Sequence, residues 1–177
     1  MPVSSIRTPR LELIPIDPIA IRRLIEGDRP EAERVLGRIL PDEFPNRYEL
    51  DGFLPIQLDR MEQSPRRRGW MARLMVSDEL GVVGHGGFHG PPEMIGRAEI
   101  GYTVFEPFRG RGFAKEAAGA LVRWAFEQGE KKVFAAVSPD NAPSLAVVRA
   151  LGFQQVGTQQ DEVDGLELVF TVDAPPG

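Results

Sequence analysis

The run Phe108-Arg109-Gly110-Arg111-Gly112 leads directly into a helical pattern, and that succession of residue types can make an anion site. Glycines remove side chains where backbone N–H groups must approach a ligand closely, and the first four N–H groups of a helix have no partner inside it. Arg109 and Arg111 add positive charge at the same point. A plain strand-to-helix turn with solvated arginines would use the same residues, so this run alone leaves both readings open. Residue type excludes two other phosphate loops. A P-loop needs Gly-Lys-(Ser/Thr) after its second glycine, and the dinucleotide fingerprint needs a third small residue where Lys115 stands. The two histidines, His85 and His89, invite a metal reading. Four residues on a strand span about 13 Å, too far to grip one ion, and GHGGFHG is too glycine-rich for a helix, so no metal site is expected. Either imidazole could instead line a pocket or act as a base, His89 by the two prolines ahead of His85, or sit on the surface. Ser64 to Gly69, SPRRRG, reads as a solvated turn or as a second holder of anions.

The flanking elements must position that run. Glu99 to Phe105 is β-branched and aromatic, which suits a strand, and Pro107 ends it because proline has no N–H for the ladder. From Phe113 the apolar residues Phe113, Ala117, Ala120, Leu121 and Trp124 fall at helical spacing, giving one buried stripe through Phe126. Upstream, Arg10 to Ile16 reads as a first strand, Ile19 to Glu26 and Glu31 to Leu40 as two helices, and Glu49 to Gln63 as a third that Pro55 interrupts or restarts. Gly69–Ser77, Gly81–Phe88 and Arg97–Phe105 form an antiparallel meander. Val133–Val137 is a strand, Asn141–Leu151 a helix, and Phe153–Val172 a hairpin turning at Asp164 and Gly165. The fold class expected is α/β: one domain over residues 1–173 with a mixed, mostly antiparallel sheet flanked by helices, and a disordered tail at 174–177.

A chain of 177 residues can bury a sizeable core without staples, and it has no cysteine. A net charge of −5 argues against general affinity for nucleic acid. No apolar run reaches about 18 residues and the start, MPVSSIRTPR, lacks a secretory core, so a cytoplasmic protein without membrane contact is expected. The strand-rich C-terminus suits the edge of a homodimer.

RGRGFA, Arg109 to Ala114, resembles the (Gln/Arg)-x-x-Gly-x-(Gly/Ala) signature of the GCN5-related N-acetyltransferases, and NAPSLAVVRALGF, Asn141 to Phe153, resembles that family's second acyl-coenzyme motif. TPRLELIP and GGFHGPP…AEIGY are similar to the branch containing the ribosomal-protein N-terminal acetyltransferases. The resemblance covers nearly all of the chain. It implies acetyl-CoA as acyl donor, a primary amine as acceptor and direct attack in a ternary complex, with no metal. By resemblance, Arg109, Gly110, Arg111, Gly112, Phe113 and Ala114 cradle the pyrophosphate. Val104, with Phe105, pairs with the pantetheine arm, and Asn141 and Ser144 contact the coenzyme. Asn141 also stands where a helix N-cap belongs, and both roles are compatible. At pH 7 an α-amino group is about 14% neutral and a lysine about 0.04%, so a base matters most for lysine. Glu99 is the candidate base, sharing a strand face with Gly101 and Thr103 opposite Ile100, Tyr102 and Val104; the alternative is an exposed strand glutamate. Where many members carry a tyrosine to protonate the leaving thiolate this chain has Val148, which leaves Ser144 as a stabiliser and keeps open a non-catalytic acyl-CoA-binding module on the same fold.

Overall fold

The computed structural model describes residues 3–177. A short strand β1 (Ile6–Arg7) pairs with β2 (Leu11–Pro15), and two helices follow, α1 (Pro18–Ile25) and α2 (Arg29–Leu36). Asp17 and Asp28 cap them through their carboxylates, which accept from the N–H groups of Ile19 and Glu31. The second helix stops four residues short of the expected Leu40 because Gly37, at φ +65°, takes the left-handed cap conformation. The expected third helix divides: a π-helical turn at Glu49–Phe53 runs into α3 (Leu54–Gln63), with Pro55 in the first turn of α3 where its missing N–H costs nothing.

Next come β3 (Ala72–Ser77), β4 (Gly81–Phe88), the short α4 (Pro92–Ile95) and β5 (Glu99–Val104). After them lie α5 (Phe113–Glu127), β6 (Lys132–Val137), α6 (Ala142–Ala150), β7 (Gln154–Asp161) and β8 (Gly165–Asp173). The eight strands form one sheet in the order β1-β2-β3-β4-β5-β6-β8-β7, in which only β5 and β6 run parallel. The sheet has a core on each face. One packs α5 and α6 against Leu13, Phe88, Ile100, Val104 and Phe170; the other packs α1 to α3 against Leu74, Val76 and Phe105. Helix α5 is buried over more than a stripe, since Ala118, Gly119 and Val122 are covered as well as Ala117 and Leu121. Small side chains let both the sheet and α6 approach it.

Candidate active site

Strands β5 and β6 are Cα partners only at Glu99–Phe134 and Ile100–Ala135, after which they part. The N–H of Phe134 donates to the carbonyl of Ala98 on that side, whereas the carbonyl of Glu99 accepts from His89, one residue past β4. Alternation along the strand therefore turns the backbone groups of Tyr102 and Val104 toward the gap. Unpaired strand groups of this kind bind an extended chain by adding it as a strand. The carbonyl of Val104 also accepts from Arg109 Nε at 2.9 Å. Phe105 has less backbone to offer: its N–H donates to Val83 and its carbonyl accepts from Phe108.

The gap opens toward the glycine turn. Gly110 and Gly112 take φ +75° and +81°, a region closed to most L side chains, and Gly112 delivers the chain into α5. Asp17, Asp28 and Asn141 cap α1, α2 and α6, but α5 has no side-chain cap, and its first internal backbone bond is Glu116 N–H to Gly112. The N–H groups of residues 113–115 thus face outward at the positive end of a 15-residue helix.

A brace from the N-terminal segment holds this turn. Arg10 Nη1 donates to the Arg111 carbonyl at 2.8 Å, and its guanidinium lies 4.8 Å from the Phe113 ring centroid. Glu116 Oε2 accepts from Arg10 Nε at 2.7 Å, while Oε1 accepts from the Thr8 hydroxyl and the Arg10 N–H. Burial pushes the Glu116 carboxyl up, but these donors outweigh it and hold it below its ordinary value of 4.5. A depressed carboxylate contributes fully above the unfolded value and its contribution fades as pH falls through the folded one. The hold on the turn, and with it affinity for an anion there, should therefore weaken as pH falls below about 4.5. Glu116→Gln should weaken such binding about tenfold at pH 7 and flatten that acid limb, as measured by calorimetric titration with coenzyme A, the ligand that the sequence resemblance implies. Next to the brace a cavity of about 410 Å³ opens between Arg10, Lys115 and Arg123. The Ser64–Gly69 arginines are placed elsewhere: Pro65–Trp70 is a 3₁₀ turn in which Arg67 pairs with Glu93.

The opposite face of β5 carries Glu99. It is not an exposed strand glutamate: its side chain is 6% exposed, and Oε2 lies 2.6 and 2.5 Å from Arg97 Nε and Nη2. Arg97 also donates to Gln159 on β7. Glu99 Oε1 stands 3.5 Å from His89 Nδ1. These side chains line a cleft of about 440 Å³ whose far wall is the β7–β8 hairpin with Asp161, Asp164 and Glu167. Burial, together with the charges of Asp164, Asp161 and Glu167, raises the Tyr48 hydroxyl above its ordinary value. His85 is taken up otherwise. Its Nε2 is 2.7 Å from Glu49 Oε1, both side chains are buried, and Phe53 stacks on the imidazole at 4.5 Å.

On the α5 face, burial raises the Tyr102 hydroxyl and the neighbouring Ser144 opposes that rise. No hydrogen-bond partner at normal geometry satisfies the buried oxygen of Tyr102. An orphaned buried hydroxyl beside the β5–β6 gap fits a polar atom of a ligand there. Asn141 caps α6, accepting the Ser144 N–H at 3.2 Å, and is itself exposed. Val148 is fully buried core and has no donor to offer. Among the described residues no group of three His, Asp or Glu side chains is placed to hold a metal, and no helix is long and apolar enough to cross a membrane.

Residues 10–154 match the family described as an acetyltransferase (GNAT) domain. The chain belongs to the GNAT acetyltransferase family. It is an acetyl-CoA-dependent N-acetyltransferase, with acetyl-CoA as its cosubstrate. An uncharacterized N-acetyltransferase, YjdG of Bacillus subtilis, is 28% identical over 84% of this chain and 88% of its own. The uncharacterized N-acetyltransferase p20 of Bacillus licheniformis is 35% identical over 89 residues, half of each chain. The ribosomal-protein-S5-alanine acetyltransferase structure from Vibrio fischeri superposes with a TM-score of 0.67, at 16% identity, over 97% of each chain, a likeness of fold. Within this GNAT chain the sequence motifs at residues 109–114 and 141–144 lie beside the β5–β6 gap's open end and at the start of α6. The Arg10–Glu116 brace and Arg97 carry no motif of their own. Arg97, two residues before Glu99, could have been found from the strand period, which puts i and i+2 on one face.

Proposed function

We propose that this GNAT enzyme acetylates a primary amine by direct attack in a ternary complex. Coenzyme enters between β5 and β6 from the α5 side, and the amine arrives through the carboxylate-lined cleft on the opposite face. The parting of β5 from β6 after Ile100 carries the reading, because it lets both reactants reach one point from the two faces of the sheet. Pyrophosphate is assigned to the N–H groups at the start of α5 with Arg109 and Arg111, and the pantetheine arm to the backbone of Val104. The adenosine phosphate is assigned to the Arg10, Lys115 and Arg123 cavity. Ser144 and Tyr102 face the sulfur, and Asn141 fixes Ser144 by capping its helix. Four carboxylates against Arg97 and His89 favour an acceptor that arrives as an ammonium. With no cysteine in the sequence, no thiol can carry the acetyl group, which supports the direct route. The acceptor is a protein N-terminus or a small amine.

The test incubates the protein with acetyl-CoA and, separately, an alanine-initiated hexapeptide, glucosamine and spermidine, and measures free thiol. Acetyl-CoA should raise the melting temperature by mass action, and at least one amine should release thiol in step with its own acetylation. Stabilisation with no thiol released by any amine would favour a non-catalytic binding module. No stabilisation at saturating acetyl-CoA would overturn the assignment of the coenzyme site.

A further inference from the structure

We propose that His89, rather than Glu99, takes the proton of the incoming amine, and that Glu99 positions the imidazole. The inference rests on the proposed ternary complex and names the proton acceptor within it. One Glu99 oxygen already accepts from Arg97 Nε and lies against Nη2 of the same guanidinium, and protonating it would break that ion pair. The other oxygen faces His89 Nδ1 at 3.5 Å, so the carboxylate is enclosed between a cation and a ring, 6% exposed. The His89 side chain is 47% exposed in the cleft, where an amine can reach it.

The ring's place is built into the sheet. His89 N–H donates to the Glu99 carbonyl at 2.9 Å and its carbonyl accepts from Arg60, so the backbone is clamped from β5 and from α3. Its Nε2 lies over Gly101: a Cβ on that residue would stand 3.0 Å from it. Glycine inside a strand weakens the strand, and here the missing side chain is what makes room for the imidazole. A proton on Nδ1, the nitrogen 3.5 Å from Glu99 Oε1, leaves the lone pair on Nε2, the arrangement in which a carboxylate orients an imidazole as base. The charged groups around the ring are Glu99 and Arg97 at β5, Arg60 on α3, and Asp161, Asp164 and Glu167 on the hairpin. The carboxylates favour the imidazolium formed when the proton arrives.

The step balances as follows. The ammonium gives one proton to Nε2, the freed lone pair forms the C–N bond at the thioester carbonyl, and collapse of the adduct breaks the C–S bond. The second proton on nitrogen goes to the departing thiolate, leaving an amide and a free thiol, and the imidazolium returns its proton to water.

Because the chain has only two histidines, their imidazole nitrogen signals are followed by NMR in the free protein at one alkaline pH, assigned with His89→Gln. His89 should carry its proton on Nδ1, and Glu99→Gln should redistribute that proton between the two ring nitrogens while the His85 signals stay in place. Unchanged His89 nitrogen signals in Glu99→Gln overturn the pairing, whatever the acceptor is. With an amine that turns over, His89→Gln should lower kcat/KM about 100-fold and remove the acid limb of its pH profile, while the melting-temperature gain from acetyl-CoA stays as in the wild type. Gly101→Ala should give an intermediate loss of kcat/KM by displacing the ring. An unchanged acid limb in His89→Gln overturns the proposal while leaving the ternary complex standing; loss of stabilisation by acetyl-CoA in the wild type would instead strike the coenzyme site.

Discussion

Gly112→Val should abolish measurable coenzyme A binding while the chain stays folded. Gly112 sits at φ +81°, and a β-branched residue there is strained on the order of 1–2 kcal/mol, which the backbone relieves by leaving the left-handed region. Leaving it rotates the N–H groups at the start of α5 away from their common focus. A Cβ at 112 would also stand 3.3 Å from Arg10 Nη2 and press on the brace. A loss of at least 100-fold in affinity, about 2.7 kcal/mol, is expected by calorimetric titration. Gly129→Val supplies the control. It carries the same kind of strain at φ +100°, just beyond the other end of α5, with open space around it, and it should keep wild-type affinity.

Arg73→Ala should destabilise the fold by about 3 kcal/mol, lowering the melting temperature by roughly 6–12 °C. Arg73 is the largest fully buried side chain, and among the described residues no carboxylate pairs with it. Its guanidinium donates instead to the carbonyls of Ser4 at 2.8 Å, Gly69 at 3.2 Å and Leu13 at 3.5 Å, and lies 5.3 Å from the Trp124 ring centroid. Burial lowers it to about 10, so the structure holds this cation at a cost that the carbonyls and the indole face offset. Alanine would leave those carbonyls without a donor around a cavity. Arg73→Met fills the volume and should recover about half of the loss, measured by thermal and urea unfolding.

The strand, glycine turn and helix from Glu99 to Phe126 were legible because each signal is local: β-branched residues, then Pro107 and two glycines, then helical apolar spacing. Helix α6 was legible for the same reason, with Asn141 as its cap. Features made by distant partners were not. Glu116 reads as an ordinary helix-surface residue until Arg10, 106 positions earlier, closes on it. Glu99 reads equally well as an exposed strand residue or as a base, and only the fold brings His89 against its free oxygen. Arg73 reads as a lone charge in an apolar strand, and its burial comes from the N-terminal segment, Gly69 and the Trp124 ring closing around it. The parting of β5 and β6 depends on where two strands stop pairing, a matter of register between segments some 30 residues apart.

Amide NMR spectra recorded while coenzyme A is titrated in locate the coenzyme on the protein. The largest shifts are expected on the N–H groups of Gly110 to Lys115 at the start of α5, followed by Tyr102 and Val104 on the open side of β5. Saturation that leaves those amides in place and moves others, for example around Ser64 to Gly69, would contradict that placement.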